Sequence, residues 1–149
     1  MTPEQSCSFL YSLEEGLWKD FEIFHFYMAG RAQEPAGLQW ESVDIENRRI
    51  TVSDVAIWGY EKHFEYLKEI PKNGEERIVH LNDDMLKTLK RMKKTKEKSV
   101  KFKRPSDNSD LYFVFNIEVE PISYRQLQYR YNKGLKRAGL FPELAPHMS

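Results

Sequence analysis

The sequence predicts an α+β domain that is mainly helical and carries a small antiparallel sheet of three to four strands. Apolar residues recur at three- and four-residue spacing near both ends of the chain, which is typical of amphipathic helices. Between residues 43 and 81 they alternate with polar residues, as in strands with one buried face. The same region contains Asn73-Gly74, the dipeptide most typical of a tight hairpin turn.

Length and composition are those of one globular domain. The chain has 149 residues, 40% hydrophobic and 31% charged, and is long enough to bury a core. No apolar run approaches the roughly 20 residues that cross a membrane. Cys7 is the only cysteine, which excludes an internal disulfide and suits a reducing compartment.

Charge is distributed unevenly although the net charge is zero. Residues 87–104 hold ten Lys and Arg but a single acidic residue, Glu97. Such a block is able to contact phosphates, and its candidate residues are Lys93, Lys94, Lys96 and Arg104. A solvated helix end that continues into a loop is the alternative interpretation, and the block by itself leaves both open.

Helix signals divide the amino-terminal part of the chain into three segments. Thr2 and Gln5 form the capping box of a first helix. Gly16 separates this helix from a second, apolar segment that runs from Leu17 to Met28. A short third helix is expected to begin at Pro35, because proline suits the first helical position.

The alternating region predicts a meander of three or four antiparallel strands. The strand that begins at Ile50 is expected to continue through Trp58 and to return at Phe64 after a turn. Arg77 to Leu81 is then expected to close a hairpin across Asn73-Gly74.

Two more helices are predicted in the second half of the chain. Asn82 caps the first, whose apolar face ends at Met92, and a loop is expected from there to residue 109. Leu111 to Phe115 forms a short buried strand or extended segment. Ser123 begins the last helix with a capping box, and Gly139 ends it.

Arg31 lies at the junction between the buried second helix and the short third helix. A guanidinium is rarely left unpaired in such a place. One interpretation pairs Arg31 with the last carbonyls of the preceding helix or with Glu34. The other interpretation is that Arg31 binds a ligand, and the motifs that follow along the chain support this interpretation.

Taken in order, these motifs resemble the catalytic domain of tyrosine recombinases, the phage integrase family. The first motif of that family matches Arg31, Glu34, Leu38, Trp40 and Asp44. The second, a lysine in a hairpin turn followed by a basic residue and alternating apolar residues, matches Lys72, Arg77, Val79 and Leu81. Later markers match Phe115, Pro121-Ile122-Ser123, Ala138-Gly139-Leu140 and Pro146-His147.

The chain also departs from the pattern of the family. Ala29 stands where the family usually has glycine, and the segment from Ile50 to Lys72 is longer than usual. The family continues past its histidine to a second arginine and to the tyrosine nucleophile, whereas this chain ends at Ser149. We therefore expect residues 1–149 to be a partial catalytic domain. The parent would add those residues and an amino-terminal DNA-clamping domain.

The resemblance implies site-specific DNA recombination through a 3′-phosphotyrosyl intermediate, without a metal or other cofactor. Arg31 would bind the non-bridging oxygens of the phosphate and Lys72 would act as general acid. His147 would donate a hydrogen bond to the phosphate or assist proton transfer. Without the resemblance, Lys72 would be interpreted as a solvated turn lysine and His147 as a histidine without a role.

The implied partner is double-stranded DNA, contacted by the basic block. The parent would act as a tetramer on DNA in the bacterial cytoplasm, with no membrane, whereas this chain alone would be a monomer. Every tyrosine of the chain precedes His147, so we expect the chain itself to be inactive. Two alternatives remain, a DNA-binding module that lost the chemistry and an unrelated RNA- or protein-binding domain.

Overall fold

The computed structural model describes residues 2–28, 30–70, 76–93 and 99–140, except that the side chains of 99 and 100 are not described. The described residues form five α-helices: α1 Pro3–Ser12, α2 Leu17–Tyr27, α3 Gln33–Gly37, α4 Asp83–Met92 and α5 Tyr124–Arg137. The strands are β1 Val43–Asp44, β2 Arg49–Val52, β3 Asp54–Trp58, β4 Phe64–Glu69, β5 Arg77–His80, β6 Ser99–Lys103, β7 Asp110–Leu111, β8 Asn116–Ile117 and β9 Glu120–Pro121. The predicted α+β class is confirmed.

The largest sheet has the strand order β1-β2-β5, and all its pairs are antiparallel. The expected meander is wrong in two respects, because β3 is a separate strand and β5 pairs with β2 rather than with β4. Ile50 lies opposite Val79, and both are buried on the same core. Burial of this shared apolar face, rather than proximity along the chain, decides which strands pair. The predicted Asn73-Gly74 turn lies outside the described residues.

The β3–β4 hairpin packs against α3 at very short range. A Cβ added to Gly37 would lie 2.6 Å from the backbone nitrogen of Ala56, so only glycine allows this approach. The α3 helix itself begins at Gln33, which places Pro35 third rather than first. This packing fixes α3, the helix that follows Arg31, against the hairpin.

Two pairings were missed in the second half of the chain. Residues 99–103 form β6, which pairs with β7, although a loop was expected there. The β8–β9 hairpin follows the buried segment that ends at Phe115. Both pairs are short, and β6 alternates lysine with other residues, so neither has the apolar run by which a strand is recognised.

The core is built around aromatic contacts between α2 and the extended segment before β8. Phe21 and Phe24 meet the ring of Phe115 edge-to-face, with centroid distances of 5.4 and 5.3 Å. The predicted capping boxes of α1 and α5 are both present. Gly139 has a φ of 74° after α5, which is the left-handed helix end that glycine favours. Among the described residues, no helix is long and apolar enough to span a bilayer.

Candidate active site

Arg31 lies between α2 and α3 with its side chain exposed and its backbone held at both ends. The Arg31 carbonyl accepts a hydrogen bond from the Glu34 amide at 3.0 Å. The Arg31 amide in turn donates to Oε1 of the Glu34 side chain at 3.2 Å. Because both backbone groups of Arg31 bond to one residue, the direction in which its side chain leaves the fold is fixed.

Arg77 at the start of β5 completes this arrangement. Its Nη2 donates to Oε2 of Glu34 at 2.5 Å, and its Nη1 donates to the Met28 carbonyl at 2.7 Å. One guanidinium therefore joins the end of α2, the first turn of α3 and the edge of the sheet. We call the set of Met28, Glu34 and Arg77 the junction clamp.

The junction clamp requires glycine at position 30, because the Glu34 side chain occupies the space that a Cβ would need. A Cβ at Gly30 would lie 1.5 Å from Oε1 of Glu34 and 3.0 Å from Nη2 of Arg77. The carboxylate thus packs directly onto the glycine backbone, and its side chain is only 15% exposed. Through these hydrogen bonds the Glu34 carboxylate connects the backbone of Arg31 to the guanidinium of Arg77.

The junction clamp uses the groups with which the first interpretation paired Arg31. The Met28 carbonyl and the Glu34 carboxylate both bond to the guanidinium of Arg77 instead. Within residues 2–28, 30–70, 76–93 and 99–140, no hydrogen bond or ion pair involves the Arg31 guanidinium. An exposed cation on a fixed backbone is what binding of an anionic ligand requires.

Four predicted site residues, Lys72, Lys94, Lys96 and His147, lie outside the described residues. Lys72 falls in the connection between β4 and β5, and Arg77 of the junction clamp begins the second of these strands. His147 falls after α5. The convergence of Arg31, Lys72 and His147 on one phosphate therefore stays a prediction.

Of the four candidate DNA-binding residues in the basic block, the two that the structure describes, Lys93 and Arg104, differ in their surroundings. Lys93 is exposed at the end of α4, beside the exposed Lys90. Arg104 is 14% exposed and forms ion pairs with Glu41 and, at 3.1 Å, with Asp54. These pairs compensate its charge inside a network of carboxylates. A contact from Arg104 to DNA stays a prediction, and Lys93 is the more accessible cation.

The network around Arg104 perturbs Asp54. Burial raises the pKa of Asp54, and the hydrogen bond and charge of Arg104 oppose this effect without cancelling it. The two side chains line an open pocket of about 560 Å³, where Glu41 and Glu69 add further negative charge. An excess of carboxylates is unfavourable for a nucleic-acid phosphate, so this pocket is not the candidate active site.

The sequence matches a known family over most of its length. The model of the Phage integrase family covers residues 23–149. The chain belongs to the phage integrase family. The matched range includes Arg31, Lys72 and His147, and it also contains Glu34 and Arg77 of the junction clamp. Among curated proteins, none matches the sequence significantly.

Solved integrase structures share the fold. The Tn1549 transposon integrase in complex with a circular intermediate DNA gives a TM-score of 0.66 at 20% identity, over 97% of this chain and 55% of that chain. The same integrase in complex with transposon right end DNA gives 0.65 at 22%, over 89% and 45%. XerA recombinase gives 0.61 at 15%, over 97% and 46%. These identities show the fold alone, and the chain spans about half the length of these proteins.

This phage integrase chain has a second basic surface that the sequence prediction missed. Helix α5 contains five Lys and Arg and no acidic residue. Four of them lie on its exposed side beside the exposed Tyr129: Arg125, Arg130, Lys133 and Lys136. The fifth, Arg137, pairs with Glu14. The composition of residues 124–137 carries the signal for this surface, since the segment holds five basic residues and no acidic one.

Proposed function

We propose that the chain is part of an integrase that cleaves and rejoins DNA, with Arg31 binding the phosphate that is attacked. The observation that carries this proposal is the exposed guanidinium on a backbone held by the junction clamp, at the position of the family's first arginine. Exchange at phosphorus places negative charge on the non-bridging oxygens. A guanidinium donates to two of them at once and does not lose its charge near neutral pH.

The remaining steps are assigned to residues that the family pattern matches. Lys72 acts as general acid and protonates the 5′-oxygen that leaves. His147 donates a hydrogen bond to the phosphate or assists proton transfer. A tyrosine of the longer parent, beyond residue 149, attacks phosphorus and forms the 3′-phosphotyrosyl bond. We propose further that the parent works as a tetramer on duplex DNA in the bacterial cytoplasm, and that this chain alone is a monomer.

The test is covalent capture of the protein on a suicide substrate. This substrate is a nicked duplex from which cleavage releases a short fragment, and the loss of that fragment prevents religation. The parent protein should give a protein–DNA adduct that survives denaturing electrophoresis. The 149-residue chain should give none, since it carries no tyrosine after His147. An adduct with the chain alone, or none with the parent, would contradict the proposal.

A second candidate is a DNA-binding module that kept the fold without the chemistry. The exposed cations of α4 and α5 favour it, since they allow contact with a duplex whether or not cleavage occurs. The same suicide substrate separates the two, because this module would shift the duplex in a native gel and yield no adduct from the parent.

A further inference from the structure

A pocket that does not include Arg31 lies between α1, α2 and α5. Its volume is about 240 Å³. Small-molecule sites usually span about 300–1,000 Å³, so this pocket has the size for one side chain rather than for a larger ligand. Its walls combine aromatic and apolar residues with one serine, one acidic and one imidazole side chain: Ser6, Phe9, Leu10, Glu22, His25, Phe26 and Tyr131.

Glu22 is the unusual member of this set. The residue is only 6% exposed, and its Oε2 lies 3.3 Å from Nδ1 of His25. Its Oε1 is buried and has no hydrogen-bond partner in the part of the chain that the structure describes. A buried carboxylate oxygen without a donor is costly, and native proteins rarely keep one. A cation that reached Oε1 would offset this cost.

The walls of the pocket suit a cation with an apolar stem. The rings of Phe9 and Tyr131 lie 4.7 Å apart on one side, and Phe26 lies at the mouth with 43% of its surface exposed. Aromatic faces attract an ammonium group and pack against methylene groups. Burial and the nearby charge of Glu22 both raise the pKa of Tyr131, so its hydroxyl stays neutral at physiological pH.

The residues around the mouth of the pocket are exposed aromatic side chains. Phe26 contacts Tyr27 with ring centroids 5.1 Å apart, and Tyr27 is 40% exposed. Exposed aromatic residues beside a small pocket are typical of protein interfaces, where one side chain of the partner fills the pocket. Duplex DNA is a poor occupant, because the carboxylate of Glu22 repels phosphate.

We propose that this pocket binds a lysine side chain presented by a protein partner, with its ammonium group donating to Oε1 of Glu22. Lysine fits better than arginine, because His25 already occupies the other carboxylate oxygen. A guanidinium favours two acceptor oxygens side by side, whereas an ammonium needs one. The four methylene groups of lysine would lie between Phe9, Phe26 and Tyr131.

The test uses the 149-residue chain labelled with ¹⁵N and a blocked pentapeptide, acetyl-Leu-Ala-Lys-Ala-Leu-amide. The matched control peptide has norleucine instead of lysine, which keeps the stem and removes the charge. We expect amide shift changes confined to α1, α2 and α5, with the lysine peptide binding about tenfold more tightly, as one charged hydrogen bond predicts.

Glu22→Gln keeps the shape of the side chain and should abolish this preference, whereas Glu46→Gln, in an exposed turn, should preserve it. Phe26→Ala serves as a second variant if Glu22→Gln fails to fold, since it removes a wall at the surface and should weaken both peptides. The proposal would be overturned by equal binding of the two peptides, or by no binding at millimolar peptide concentration. It would also be overturned by amide shift changes elsewhere on the fold, or by tighter binding of the same peptide with arginine in place of lysine.

Discussion

Arg77→Gln is the perturbation that most sharply separates the junction clamp from an ordinary surface ion pair. The substitution removes the donors to the Met28 carbonyl and to Glu34, at 2.7 and 2.5 Å. It also leaves the Glu34 carboxylate, 15% exposed, without its cation. The clamp joins α2, α3 and β5, so its loss should loosen a junction rather than a single contact.

The magnitude follows from the exposure of the two partners. A hydrogen bond to a charged group contributes about 1.5–3 kcal/mol when it is shielded from solvent. The Arg77 side chain is 44% exposed, and solvent screening reduces this contribution. We therefore expect the free energy of unfolding to fall by about 1–2 kcal/mol. For a chain of this length, each kcal/mol lowers Tm by roughly 2–4 °C.

Urea denaturation followed by circular dichroism measures this loss. The control is Arg49→Gln, whose side chain is 51% exposed and lies 3.8 Å from Asp44. That exposed pair should contribute less than about 0.5 kcal/mol. A double-mutant cycle with Glu34→Gln should give a coupling energy near 1 kcal/mol. If Arg77→Gln costs no more than the control, or if the coupling is near zero, the clamp does not hold the junction.

Three further predictions concern space, charge and pH. Gly30→Ala should lower the free energy of unfolding by about 1–3 kcal/mol in the same assay, because its Cβ would displace Glu34 from a position 1.5 Å away. Replacing the exposed cations Arg125, Lys133 and Lys136 by Gln should reduce the slope of log K against log salt for duplex binding by up to about 3, and a salt titration that gives an unchanged slope would exclude α5 from the interface. Burial raises the folded-state pKa of Asp54 above its unfolded value, so its ionisation opposes folding. The stability of the wild type relative to Asp54→Asn should therefore fall as the pH rises from that of an unperturbed aspartate through the raised pKa, and urea denaturation between pH 3.5 and 7 that shows the opposite trend would contradict this.

The sequence predicted local structure well and long-range pairing poorly. The capping boxes that begin at Thr2 and Ser123 need only residues three positions apart, and both are present. The pairing of β5 with β2 depends on which buried faces meet in the core, and alternation along the chain carries no such information. The predicted fold class is confirmed because it depends on the periodicity of apolar residues along the chain and not on the order of the strands.

At the candidate site, too, contacts between neighbours in the sequence were easier to predict than contacts between distant residues. The spacing from Arg31 to Glu34 was visible as a motif, and the contact between them is local. The sequence identified Arg77 only as a matching basic residue, because its partner Met28 lies 49 positions away. A run of charges along the chain predicts Arg104 as a DNA contact, but its carboxylate partners come from distant parts of the chain. A charge run shows that cations are present and not which of them stay unpaired.

The role of Arg31 at the phosphate is tested most directly by the rate of adduct formation on the suicide substrate, measured for the parent protein and its Arg31→Ala variant. Loss of one pre-organised donor to transition-state charge commonly lowers a rate about 10²–10³-fold. We predict a fall of at least this size, with affinity for the duplex reduced less than about tenfold, since one cation among several is removed. An unchanged rate, or a rate that falls only in proportion to DNA affinity, would contradict a role of Arg31 in the chemical step.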